Sequence, residues 1–198
     1  MLVRTAVVLV LVACIPTLAV AQHDAAATAP STVAPREAAQ FDFLVGHWEL
    51  TITPAAVGLA ARIHGAPKML GTWKAWRALD GWGIEDELRI TDASGNPRAF
   101  SHAVRTFRAA TRKWVTSSLD VYRSTFSSSV AEFRNGEMTV NGSRSIDRDG
   151  KPVMTRSRYF DITATSFRFT QQRSSDNGQT WTDNLKIEAR RVAASAPR

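Results

Sequence analysis

Cysteine is almost missing from this 198-residue chain, Cys14 being the single example. Cys14 lies in an N-terminal segment that reads as removable, and without it the chain has no disulfide, thiolate metal site or cysteine nucleophile to offer. Histidine is nearly as scarce: His23, His47, His64 and His102 are scattered. No set of imidazole or oxygen ligands converges as a metal ion requires. Beyond the N-terminus there is no apolar run long enough to span a membrane. After Ala39 no segment sustains a helical period, so a helical fold is excluded. The formal net charge is +7, yet Arg and Lys are spread through most of the chain and form no basic block. That spread reads as a solvated surface and not as a nucleic-acid interface.

What is present begins with a secretory pattern in residues 1–21. Arg4 supplies the positive start, Ala6 to Cys14 is apolar, and Ala19-Val20-Ala21 before Gln22 is a small-x-small cleavage site. Export to the periplasm or beyond is expected. A second reading takes Leu11-Val-Ala-Cys14 as a lipoprotein box that would leave a lipid on Cys14, but Ile15 to Ala21 stays apolar where such a tether turns polar. Residues 22–38 are rich in Ala, Pro and Thr and read as a disordered linker. Residues 39–192 then form the folded domain, enough for one core, and 193–198 a tail.

The domain opens on Phe41-Asp-Phe-Leu-Val-Gly-His-Trp48-Glu-Leu-Thr-Ile-Thr53. One or two helical turns before Leu44 precede a strand with Trp48, Leu50 and Ile52 on one side. Further strands are expected at 69–79, 82–90, 98–107, 114–122, 126–133, 137–146, 152–162, 165–173 and 180–191, with a few helical residues around Leu59–Ile63. Asn135-Gly136 suits a type I′ hairpin, and Asp149-Gly150 a second turn. About ten short antiparallel strands in sequence order predict an all-β, up-and-down barrel, because closure removes the exposed edges of a meander. Ser174-x-Asp176-x-Gly178-x-Thr180-Trp181 has the spacing of an Asp-box hairpin. It occurs once, whereas propellers repeat it, so it is read as a structural turn.

With Phe41-x-Phe-Leu-x-Gly46-x-Trp48, this strand count and a Thr180-Trp181 hairpin before a basic last strand, the chain resembles a family of secreted bacterial proteins without an assigned function. They are built on a calycin-like barrel, similar in shape to lipocalins, fatty-acid-binding proteins and nitrobindins. The resemblance implies that Trp48 sits at the closed end beside Gly46, and that Arg191, or else Arg190, packs on it. Nitrobindins hold haem through a histidine near the C-terminal end. The histidines here all lie in the first half or just beyond it, so no haem or other cofactor is expected.

A barrel of this size either fills its interior or encloses one ligand. Asp86 shares a parity with Trp82, Ile84, Leu88 and Ile90. If the turn Asp92 to Pro97 is centred on Ser94, Ile84 opposes Val104, Leu88 opposes Phe100, and Asp86 opposes His102. Both readings of that pair stay open: a polar anchor or acid/base pair within a pocket, and a structural ion pair. Trp73 and Trp82 offer aromatic walls. Arg158 offers an anchor for an anionic group if the face it shares with Arg156 is the inner one. Ser117, Ser118 and Ser127–Ser129 read as ordinary strand polars. The expected function is binding of a small apolar or amphipathic molecule by a monomeric or weakly dimeric barrel. Acid/base catalysis by Asp86 and His102, or a filled, purely structural barrel, are the alternatives.

Overall fold

A computed structural model describes residues 32–193 apart from 57–62, 64, 143 and 147–149. The fold belongs to a unit running Val33–Arg198, distinct from Met1–Thr32. The secretory segment, most of the expected linker, the tail beyond 193, most of Leu59–Ile63 and Asp149 lie outside the described residues.

The strands are β1 (Gly46–Pro54), β2 (Met69–Ala78), β3 (Gly83–Thr91), β4 (Pro97–Arg108), β5 (Lys113–Asp120), β6 (Thr125–Arg134), β7 (Glu137–Gly142), β8 (Ser145–Ile146), β9 (Pro152–Phe160), β10 (Ser166–Ser174) and β11 (Thr182–Arg191). Each pairs antiparallel with its sequence neighbour, except that β9 pairs with both β7 and β10 and β1 pairs with β11. Ten strands therefore close into an up-and-down barrel, and the two-residue β8 is a flap on β9. The single strand expected over 137–146 is thus broken at Gly142. Asn135 and Gly136 both take positive φ, 51° and 79°, as a type I′ turn needs. Among the described residues no helix is long and apolar enough to cross a membrane.

Two 3-10 turns, Arg36–Ala39 and Asp42–Leu44, precede β1. Residues 36–38 therefore belong to the folded body and not to the linker, with Ala38 buried in the core. The turns plug one end of the barrel. Phe41 and Leu44 are fully buried there beside Trp48, Trp114 and Phe167, and Phe41 meets Trp114 edge-on with centroids 4.8 Å apart. Burying two such side chains is worth about 3–6 kcal/mol, of the same order as the turn hydrogen bonds together at ~1 kcal/mol net each.

Trp48 donates its Nε1–H to the Leu44 carbonyl at 2.8 Å, and the Arg191 guanidinium lies over its ring at 4.1 Å. Arg191 also donates to the carbonyls of Val45 (2.6 Å), Phe43 (3.1 Å) and Ala164 (2.7 Å). It thus ties the plug to the last strand. Gly46 allows this twice over. Its φ of +123° is open to glycine, and a Cβ there would collide with Arg191 Nη1.

At the other end, Ser174 Oγ lies 2.6 Å from Asp176 and accepts the Gly178 N–H at 2.7 Å. Asp176 accepts the Thr180 N–H at 2.9 Å and its hydroxyl at 2.5 Å. Trp181 packs against Gly178, donates its Nε1–H to the Gly178 carbonyl and carries Arg156 over its ring at 4.4 Å. Every one of these bonds is used within the turn and its neighbours.

Candidate functional site

The interior of the half remote from the plug holds a cavity of about 310 Å³. Burial along β5 and β6 locates its mouth. Trp114 and Thr116 are buried, Ser118 is half-buried, and on the neighbouring strand Ala131 is buried, Ser129 half-buried and Ser127 exposed. The cavity therefore opens towards the β5–β6 turn, away from the plug.

Its walls differ in emphasis. Along the arc from β10 through β3 stand Phe169, Trp73 and Leu88, with the Gln171 amide; along β4, β5, β6, β7 and β9 hydroxyls predominate, Ser101, Thr116, Ser118, Ser129 and Ser157 among them, with Ala103 and Val140 between. Between them is a buried polar cluster. Asp86 accepts Arg105 Nε–H at 2.6 Å and Nη2–H at 3.2 Å, and the Trp73 indole N–H at 2.7 Å. Arg105 also bonds to Tyr159, and its guanidinium lies 5.2 Å from the Phe41 ring on the plug side.

Burial opposes the charge on Arg105, but Asp86, helped by Tyr159, more than offsets this and holds its pKa above the ordinary range. Burial pushes the Tyr159 phenol up to about 12, against the pull of Arg105, so it stays a neutral hydroxyl at physiological pH. The Thr116 hydroxyl is buried and has no hydrogen-bond partner among the described residues. It lines the cavity.

The pairing of Asp86 with His102 is overturned. Thr91 does oppose Pro97, as a turn centred on Ser94 requires, but a β-bulge follows at once and Ile90 opposes Ala99. One extra residue in β4 slips the register and exchanges the two faces of that strand. Asp86 opposes Ala103, Ile84 opposes Arg105, Leu88 opposes Ser101, and His102 opposes Glu87. His102 thus lies on the outer face, 3.4 Å from Glu85 and beside the Trp76 ring. An acid/base pair of Asp86 and His102 is not formed.

Trp73 lines the cavity, and Asp86 lies behind the lining, bonded to Trp73 and Arg105. Trp82 does not line it: it follows the 3-10 turn Leu79–Gly81, at the plug end. Arg158 is on the outer face, 3.4 Å from Glu137 and 4.5 Å from the Phe160 ring centre. Arg105, Thr116 and Phe169 are cavity residues that the sequence reading misses; Tyr159, grouped there with Arg156 and Arg158 as an anchor for an anionic group, lines the cavity without them, as do Ser118, Ser127 and Ser129, read as ordinary strand polars. A usable signal exists in the β4–β5 hairpin. Phe107 opposes Trp114 there, and counting back by twos from Phe107 and forward by twos from Trp114 turns Arg105 and Thr116 inward.

No protein-family profile and no curated protein matches the chain. Among solved structures, the S-type phycobiliprotein lyase CPES from Guillardia theta aligns with a TM-score of 0.53 at 10% identity, over 78% of this chain and 92% of that one. The redesigned β-barrel mFAP0, bound to DFHBI, aligns at 0.40 and 9% identity over 75% and 99% of the two chains. A de novo designed fluorescence-activating β-barrel aligns at 0.39 and 10% identity over 76% and 95%. At these identities the likeness is one of fold alone.

Proposed function

We propose that the chain is an exported barrel that binds a small amphipathic molecule in its open-end cavity. The observation that carries this reading is the cavity with two unlike walls, mainly aromatic and aliphatic on one arc and mainly hydroxylated on the other, over a buried Arg105 that Asp86 holds from behind. Its volume of about 310 Å³ lies at the small end of ligand pockets, roughly 300–1,000 Å³. The fold it shares with a phycobiliprotein lyase is compatible with a binding role, but fold alone assigns no ligand.

Export rests on the N-terminal pattern of Arg4, the apolar run and Ala19-Val20-Ala21. It is tested by fractionating the host and sequencing the mature N-terminus, expected at Gln22. Native mass spectrometry of that material tests binding: a reproducible added mass is expected. Ser118→Trp, which puts an indole into the cavity, should abolish the added mass while leaving the barrel folded. An adduct undiminished by Ser118→Trp would place binding elsewhere.

A further inference from the structure

We infer that the cavity selects an uncharged molecule with a flat apolar body and a hydroxyl or carbonyl at one edge, in preference to a carboxylate or phosphate of the same shape. This rests on the cavity being the binding site. Among the residues lining it, Arg105 alone carries a formal charge. Its guanidinium is already engaged by Asp86 through two N–H groups, and Asp86 is further held by Trp73. The pair is electroneutral. An anionic ligand would put a second negative charge beside Asp86 with one guanidinium to share between them, and would surrender its own hydration to do so.

The other polar side chains of the wall are hydroxyls, which both donate and accept, and the Gln171 amide, whose oxygen already accepts from Asn184. Thr116 is the informative one. It is 3% exposed, its oxygen is sealed from solvent and meets no partner among the described residues, and the residue lines the cavity. A change of rotamer that presents this hydroxyl to a ligand hydroxyl or carbonyl would supply the missing bond. Across the cavity, Trp73, Tyr159 and Phe169 form a ring cluster, with centroids 5.8 Å apart for Trp73–Tyr159 and 4.8 Å for Tyr159–Phe169. Such a cluster suits the face of a planar or ring-shaped body.

The test uses three probes of one shape at neutral pH: 2-naphthol, 2-naphthoate and naphthalene, titrated into the whole protein by tryptophan fluorescence and by NMR. 2-Naphthol should bind about tenfold or more tighter than 2-naphthoate, and several-fold tighter than naphthalene, roughly what one satisfied hydrogen bond is worth. Thr116→Val should erase the margin of 2-naphthol over naphthalene, with Ser118→Ala as a second wall variant expected to narrow it. Equal or tighter binding of 2-naphthoate, or a margin that survives Thr116→Val, overturns the inference while leaving the cavity reading intact. Failure of all three probes to bind at millimolar concentration overturns the cavity reading and this inference with it.

Discussion

Arg105 and Asp86 form a buried, two-point ion pair between β4 and β3, with Nε 2.6 Å from one carboxylate oxygen and Nη2 3.2 Å from the other. Both side chains are under a tenth exposed, so neither charge can fall back on water. Asp86→Asn leaves the guanidinium uncompensated and should cost about 3–5 kcal/mol. Replacing both, with Asp86→Leu and Arg105→Met, should cost less than either single change. Urea unfolding of the three variants checks this; a double variant as unstable as the sum of the singles would contradict it.

Thr116→Val acts in the opposite direction on the ligand-free barrel. The hydroxyl it removes is buried and unpartnered among the described residues, and burying such a group costs about 1–3 kcal/mol. Valine keeps the shape, so the unfolding midpoint should rise or hold. A clear fall would show that the hydroxyl is satisfied in solution.

At the plug end, Gly46→Ala places a methyl against Arg191 and forces alanine to a φ of +123°. A loss of about 2 kcal/mol or more is expected. Arg191→Ala relieves the collision but removes the carbonyl contacts, so the two changes together should be less harmful than their sum. A double-mutant cycle in thermal unfolding reads this coupling.

The Ser174–Trp181 turn should carry a pH signature. Hydrogen bonds from Ser174 and Thr180 hold the Asp176 carboxyl down to about 2 from an ordinary 3.8. A depressed carboxylate stabilises the fold fully above its unfolded value, and that contribution is lost as pH falls from 3.8 towards 2. Asp176→Asn should therefore be less stable than wild type at neutral pH, with the gap closing below pH 3.8. Unfolding midpoints of the two proteins across that range provide the comparison.

His102 faces outward beside Glu85 and Trp76. His102→Gln should leave binding in the cavity unchanged, as judged by the 2-naphthol titration, whereas Thr116→Val should not. A matching loss in both would place His102 in the site after all.

Most of the architecture is legible in the sequence because its causes are local. Alternating Trp48, Leu50 and Ile52 fix the faces of β1 against whatever they meet, Asn135-Gly136 fixes a hairpin whose twist suits its strands, and ten strands without helical period have few ways to hide their edges. The two faces of β4 cannot be had in that way. Period-two patterning specifies a face only once the register is set, and a single bulged residue after Pro97 reverses which side chains turn inward. That reversal carries His102 out and Arg105 in. It replaces an expected carboxylate–imidazole pair with a guanidinium–carboxylate floor. The register of β1 on β11, which closes the barrel, likewise joins residues from opposite ends of the domain. Sequence determined that there would be a barrel with a plugged end; tertiary pairing decided what lines the inside, because a register is a property of two strands and not of one.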